Sequence, residues 1–201
     1  MTSPNNPPDH KALMAQALTL ARSSPCLPTN YRVGALLVDP SPSTASSQEP
    51  STPSSPTVLA TGYTLELPGN THAEQCCIAK VSSPAADAPP STELPGDQQI
   101  QQLALPRGRL ALYTTMEPCV ERLSGNLPCV QRILAYRDFI TDVYVGVLEP
   151  DTFVKGNSGR AVLEAAGVKV HHVVGLEDEI LEVATAGHTR PAPGPHIRKT
   201  T

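Results

Sequence analysis

Hydrophobic and polar positions alternate along this chain with two different periods, and the switches between them outline ten elements. Asp9 can cap a helix running to about Ser23, with Ala12, Leu13, Ala15, Leu18 and Leu20 as its apolar residues. Apolar runs at Val33–Val38 and Val58–Leu65 read as strands. A helix beginning near His72 carries Cys76, Cys77, Ile78 and Val81, and Arg109–Thr115 then reads as a buried strand. A further helix starts at Pro128, and Thr141–Leu148 is a strand. Gly159–Ala166 is a short helix stopped by Gly167, Val168–Val174 a strand and Glu177–Ala186 the last helix. The order α-β-β-α-β-α-β-α-β-α predicts an α/β protein, a three-layer α/β/α sandwich around a mixed five-stranded sheet. Helical crossovers join the third, fourth and fifth strands, which are therefore expected to be parallel.

Two stretches break this alternation. Residues 39–57 are almost entirely Pro, Ser and Thr, and residues 82–107 are rich in Pro, Ala, Asp and Gln over most of their length. Such composition cannot bury enough apolar surface to order itself, so both are expected to be loop insertions. They interrupt a single domain over residues 9–187, with flexible ends at 1–8 and 188–201. The chain's 201 residues, 39% of them hydrophobic, suffice for one domain with a real core.

Composition narrows the function. Fifteen Lys and Arg against 19 Asp and Glu give a net charge of -4, and aromatic residues make up only 3% with no Trp. A nucleic-acid surface of basic patches and stacking platforms is not expected. Met1–His10 lacks a basic segment followed by an apolar one, and no apolar run reaches membrane-spanning length. The expectation is a protein without membrane attachment, resident in the cytoplasm and with the nucleus also open to it. Five cysteines, an odd number, with Cys119 and Cys129 among those directly after proline, fit metal or catalytic use in a reducing compartment better than disulfides.

The chemistry concentrates in three short segments. Asn70-Thr71-His72-Ala73-Glu74 opens a helix, Thr115-Met116-Glu117-Pro118-Cys119 closes a strand, and Pro128-Cys129 opens another helix. Two thiolates and one imidazole suit zinc, which in catalytic sites takes three protein ligands and keeps its fourth position for water. One Zn2+ per chain, held by His72, Cys119 and Cys129, leaves Glu74 as a spare carboxylate to act as general acid and base. Residues two apart on a helix point about 200° away from each other, so His72 and Glu74 share a site only where the helix meets it end-on. The alternative is a closed structural site with Cys76, one turn after His72, as fourth ligand. That arrangement would give Glu74 no task, and Cys76 and Cys77 on an apolar face read as core packing.

H-x-E followed by P-C-x-x-C is the zinc-deaminase signature, of which this chain matches the first half and stretches the second. Here the cysteines are separated by Val-Glu-Arg-Leu-Ser-Gly-Asn-Leu-Pro, so a loop must fold back to bring the thiolates together. The runs His-Ala-Glu-Gln-Cys-Cys and Thr-Met-Glu-Pro-Cys-Val-Glu-Arg-Leu-Ser-Gly-Asn-Leu-Pro-Cys resemble the riboflavin-pathway pyrimidine deaminases of the cytidine/deoxycytidylate deaminase superfamily, above all their fungal members. The resemblance covers about Asp9 to Gly187 apart from the two insertions. It implies the cytidine deaminase-like fold, a phosphorylated pyrimidine substrate carrying a ribityl chain, and self-association as a homodimer. It also implies substrate contacts for Asn30, which stands in Asn-Tyr-Arg-Val-Gly where the family has N-P-x-V-G, and for Asn126. Glu149, Asp151 and Lys155 stand where bacterial members read D-P-N-P-x-V-x-G at the sugar-phosphate end. The departures at Glu149 and Asp151 fit an open-chain polyol in place of a ribose. The histidine that bacterial members carry seven residues before the zinc histidine is Leu65 here. Yeast-type members also carry a pseudouridine-synthase-like domain, for which no counterpart is expected in this chain.

Other readings compete for some residues. Arg122, Lys155 and the turn Gly156-Asn157-Ser158-Gly159 could hold a phosphate, since a guanidinium and a helix start both favour anions, or could be ordinary surface charge and a cap. Cys26 reads as loop filler. His171 and His172 show no acidic or cysteine neighbour in the sequence and do not look like ligands. A deoxycytidylate deaminase fits the stretched cysteine spacing less well, a tRNA or DNA editing subunit the acidic balance less well, and a non-catalytic zinc domain leaves Glu74 unexplained.

Overall fold

The computed structural model of the chain describes residues 8–41, 56–82, 105–148 and 159–188. The ends, most of the two insertions and the segment holding Glu149, Asp151 and Lys155 lie outside these residues. Ten elements follow in order: α1 (His10–Ala21), β1 (Gly34–Asp39), β2 (Thr57–Tyr63), α2 (Ala73–Ser82), β3 (Leu110–Met116), α3 (Cys129–Ala135), β4 (Ile140–Val147), α4 (Gly159–Ala165), β5 (Lys169–His172) and α5 (Glu177–Ala184). The sheet order is β2-β1-β3-β4-β5. β1 is antiparallel to both β2 and β3, and β3, β4 and β5 run parallel. This is the mixed sheet that the alternation predicts.

Alternate residues of the central strands feed two cores. Leu37, Leu112, Val143 and Val145 meet α2, α3 and α4 through Cys77, Ile78, Ile133 and Leu163 on one face. Leu36, Val38, Ala111 and Tyr113 meet α1 and α5 through Met14, Leu18 and Ile180 on the other. β3 is buried along its whole length, as a strand covered on both faces must be. The helix α1 buries Leu13, Met14, Ala17, Leu18 and Ala21; of the sequence pattern's residues Ala12 is exposed, while Ala15 and Leu20 pack half-buried against the same core. Gly34 decides this, because a Cβ there would stand 1.9 Å from the Ala17 carbonyl oxygen. The helix backbone lies on the strand at that point, and the Ala17–Ala21 stripe must face inward.

Several ends differ from the pattern by one to three residues. β2 stops at Tyr63 because Leu65 turns into the left-handed region, with φ 64°. β5 ends at His172, although the Val173 N–H still donates to Val145 O at 2.8 Å. His171 and His172 do have acidic partners, contrary to the reading of the sequence. His171 Nε2 lies 2.8 Å from Asp142 Oδ1, and His172 Nε2 lies 3.5 Å from Glu177 Oε1. Asp142 comes from the adjacent strand, 29 positions away, whereas Glu177 follows His172 by five residues at the start of α5.

His171 belongs to a stack of rings on the α1 face. Tyr144 stacks against His171 at 4.6 Å, against Tyr113 at 4.6 Å and against His10 at 4.3 Å between centroids. His10 Nδ1 also lies 2.9 Å from the Tyr113 hydroxyl. Burial, with the nearby His171 second, holds the His10 imidazole below its usual pKa, against the opposing pull of Asp9 and Asp142. The folded protein therefore keeps His10 neutral at pH values where the unfolded chain already binds a proton. Stability from this source is complete above about pH 6.5 and is lost as pH falls from there until the folded imidazole titrates too. In thermal melts, the advantage of the wild type over His10→Gln should shrink between about pH 7.5 and pH 5.5. A constant difference across that range would remove His10 from the pH dependence.

Candidate metal centre and active site

Two helix starts and one strand end converge on the same point. The loop after β2 turns back at Leu65, whose N–H donates to Thr71 O at 2.8 Å, and the Thr71 hydroxyl donates to Leu67 O at 3.0 Å. α2 then begins, its first hydrogen bond running from Cys76 N–H to His72 O at 3.0 Å. Gly62 of β2 lets this first turn approach closely, since a Cβ there would stand 2.2 Å from Ala73 O. His72 is thus the residue at the helix entrance and Glu74 lies in the first turn, the end-on arrangement that lets both face one site.

Cys119 follows β3. The ladder to β4 continues past the strand, with the Glu117 N–H donating to Val147 O at 2.9 Å. Pro128 precedes α3 in extended conformation, with φ -63° and ψ 154°, and turns the first N–H groups of that helix toward Cys119. The Cys129 N–H donates to Cys119 Sγ at 3.4 Å and the Val130 N–H donates to Cys119 O at 3.2 Å. The nine-residue excursion between the cysteines closes on itself through the Gly125 N–H, which donates to Arg122 O at 3.1 Å.

His72 Nδ1 lies 3.5 Å from Cys119 Sγ and 3.5 Å from Cys129 Sγ. All three ligand atoms lie within 4.8 Å of one another. A tetrahedral zinc with Zn–S of about 2.3 Å and Zn–N of about 2.0–2.1 Å needs donor atoms roughly 3.5–3.8 Å apart, and both imidazole–sulfur separations match that requirement. The donor chemistry agrees. The Cys119 thiol is pushed down to about 4, first because the Cys129 thiol hydrogen-bonds to its sulfur and then with help from His72. Cys129 goes well up as the partner that keeps the shared proton. A divalent cation between the two would displace that proton.

Glu74 is buried, 3% exposed, and accepts from Cys129 Sγ at 3.5 Å. Burial pushes its carboxyl above the usual range. It borders the metal trio without belonging to it among the described residues. Cys76 points elsewhere, its thiol donating to Tyr63 O at 3.6 Å, and Cys77 donates to Ala35 O at 3.3 Å. Burial raises both of these thiols.

His72, Glu74 and Cys119 form one wall of a cavity of about 380 Å³, with Asn30, Asn70 and Glu117 among its other lining residues. Asn30 Nδ2 donates to Asn70 Oδ1 at 3.3 Å, and the Thr29 hydroxyl donates to Asn30 Oδ1 at 2.6 Å. The loop carrying Asn30 is fixed from two sides. Arg32 donates through Nε to Ser24 O at 2.8 Å, and the Arg32 N–H donates to Ala184 O at 3.1 Å. Glu117 Oε1 accepts the Arg160 N–H at 2.8 Å and so caps α4. Arg122 is not among the cavity-lining residues, and Asn126 is exposed on the loop between the cysteines. Asn70, Thr29 and Glu117 were not assigned to the site from sequence. Glu117 and Asn70 carried a local signal, their places in Glu-Pro-Cys and two residues before His72, and Thr29 carried none.

A sandwich that gathers an imidazole, two cysteine sulfurs and an uncommitted carboxylate beside one cavity has the construction of the zinc-dependent deaminases. The chain belongs to their cytidine and deoxycytidylate deaminase family, whose zinc-binding region matches residues 7–147. It is 33% identical over 184 residues to the diaminohydroxyphosphoribosylamino-pyrimidine deaminase of Schizosaccharomyces pombe. That match takes in 90% of this chain, which spans only 36% of the length of that relative. The fold is similar to the Rib2 deaminase of Aspergillus oryzae solved at pH 6.5 as a C-terminal deletion mutant, with 43% identity and a TM-score of 0.69 over 89% of this chain and 92% of that one. The same deaminase in complex with DARIPP matches at 42% identity and a TM-score of 0.69, over 89% and 91% of the two chains. Among the described residues no helix is long and apolar enough to cross a membrane.

Proposed function

We propose that this chain is a deaminase of riboflavin biosynthesis that converts 2,5-diamino-6-ribitylamino-4(3H)-pyrimidinone 5'-phosphate to 5-amino-6-ribitylamino-uracil 5'-phosphate and ammonia. The observation that carries this reading is the 42% identity, across nearly the whole of both chains, to a Rib2 deaminase solved with DARIPP. The cavity in front of Glu74 supports it, being large enough for a substituted pyrimidine and rich in amide groups on one wall. One domain over about residues 9–187 carries the activity. The homodimer and the cytoplasmic location belong to the same reading, the latter supported by cysteines used as thiols.

Zinc held by His72, Cys119 and Cys129 would keep its fourth position for water and lower the pKa of that water toward about 7. Asn30 and Asn70 orient the pyrimidine, their linked amides presenting hydrogen-bond groups on the wall beside Glu74. Glu74 takes a proton from the water that adds to the amidine carbon and passes it to the ring nitrogen. It then takes the second proton from the added hydroxyl and delivers it to the departing amine, so that the C–N bond breaks as the carbonyl forms and ammonia leaves. Glu149, Asp151, Lys155 and Asn126 serve the sugar-phosphate end in this proposal.

Ammonia release tests it, measured with the ribityl phosphate, the corresponding ribosyl phosphate and deoxycytidylate. A ribityl chain offers more hydroxyl donors than a closed ribose, and Glu149 and Asp151 are pure acceptors. The ribityl substrate should win in kcat/KM by at least about tenfold, because a site shaped to pair hydroxyls rejects a form that leaves its polar groups unpaired. The double change Glu149→Asp with Asp151→Asn should erode that preference. Equal use of both phosphates by the wild type would sink the assignment of substrate, and preference for deoxycytidylate would move the chain to another branch of the family.

A further inference from the structure

The loop between the two cysteines holds a guanidinium that is buried and already committed. Arg122 is 9% exposed, and one of its terminal nitrogens donates to Gln75 Oε1 at 3.0 Å while the other donates to the Asn70 carbonyl oxygen. Gln75 is itself 3% exposed. In sequence these two partners bracket the His72–Glu74 segment, Asn70 just before it and Gln75 just after. Arg122 follows Cys119 by three residues and lies on the loop that returns to Cys129. A single planar fork therefore spans the gap between the segment bearing the imidazole and the carboxylate and the loop bearing the two sulfurs. Its Nε, also buried, has no hydrogen-bond partner among the described residues. A buried N–H left unpaired is destabilising, so the arrangement favours the two terminal bonds over full satisfaction of the side chain.

We propose that Arg122 is a positioning residue, clasping Asn70 and Gln75 so that His72 and Glu74 stand in register with Cys119 and Cys129, and that it does not bind the substrate phosphate. A lysine at this position keeps the charge but reaches at most one of the two acceptors. The fork and the charge are therefore separable. The kinetic part of the inference rests on the deaminase reading above, and the metal part does not.

The test uses the zinc-loaded full chain as wild type, Arg122→Lys and Gln75→Met. Zinc release to a chelator is followed first. Groups that orient metal ligands typically contribute 10–100-fold in metal affinity or activity, so both variants should lose zinc roughly tenfold faster or more. Steady-state kinetics with the ribityl phosphate and its dephosphorylated form follow. In both variants kcat should fall by about 10–100-fold on both substrates, with KM changed by less than about threefold. If Arg122→Lys releases zinc and turns over like the wild type, charge alone suffices and the clasp is overturned. A loss confined to KM for the phosphorylated substrate overturns it in favour of a phosphate ligand. If Arg122→Lys does not fold, Gln75→Met decides alone by the same two measurements, because it removes one acceptor and leaves the arginine. An inactive wild type would defeat the deaminase reading, whereas an unchanged zinc release rate in both variants defeats this one.

Discussion

Glu74→Gln should lower turnover by at least about a hundredfold while zinc stays near one per chain, because a positioned proton shuttle typically supplies 10²–10⁴ in rate. Glutamine has the same shape, but it cannot take up a proton and hand it on. The carboxylate lies beside the imidazole and the two sulfurs and outside their cluster, so the metal should not notice the change. Nor should the fold suffer. A neutral amide costs less to bury than an ionised carboxylate, so the variant should melt no lower than the wild type. Lost activity could then not be assigned to unfolding. Zinc analysis beside an ammonia-release assay checks both halves, and metal lost together with activity would make Glu74 a ligand.

What could be read from the sequence was what each segment does with its own neighbours. β3 shows this: its first four residues, Leu110, Ala111, Leu112 and Tyr113, are apolar on both faces, a local pattern that points to a strand covered by two layers. The order of strands and helices then limits the sheet to a few topologies, and the parallel run β3-β4-β5 follows from the helical crossovers. The inward face of α1 was harder. Its apolar residues surround most of the helix, and the choice of Ala17 and Ala21 over Ala12 comes from Gly34, a residue of another element. Propensity has no access to that contact.

The same division runs through the site. His72 with Glu74, and each cysteine behind its proline, are signals contained within five residues, and the need for three donors and a spare carboxylate ties them together. Asn70 and Arg122 are different. Asn70 joins the cavity through Asn30, 40 positions away, and Arg122 reaches Gln75 across 47. An arginine in a loop between metal ligands looks equally like surface charge or an anion site until its partners are known. His171 teaches the same lesson at the other end of the sheet, where its partner Asp142 comes from the adjacent parallel strand, 29 positions away. Parallel pairing always separates neighbours by a whole crossover.

Cys119→Ser and Cys129→Ser should each abolish zinc retention and activity, while Cys76→Ser should keep zinc near one per chain. Serine is close to cysteine in size but its hydroxyl does not ionise near neutral pH, and zinc prefers the soft thiolate. Zinc-finger sites with four ligands bind with roughly 10–16 kcal/mol, so losing one strong ligand of three should cost about 3 kcal/mol or more, over a hundredfold in affinity. Zinc takes both sulfurs as thiolates, so neither variant keeps a full donor set. Cys129 is the more sensitive in position, as the first residue of α3, fully enclosed at 0% exposure. Cys76 is equally buried, so burial alone does not separate the three. Direction does: its thiol faces Tyr63 O at 3.6 Å, and a serine hydroxyl can donate to that carbonyl in its place. Zinc content after gel filtration, with a thermal melt to show that each variant is folded, separates the outcomes. Equal zinc loss in all three would place Cys76 in the coordination shell, close the fourth position and leave no room for the water that the reaction consumes.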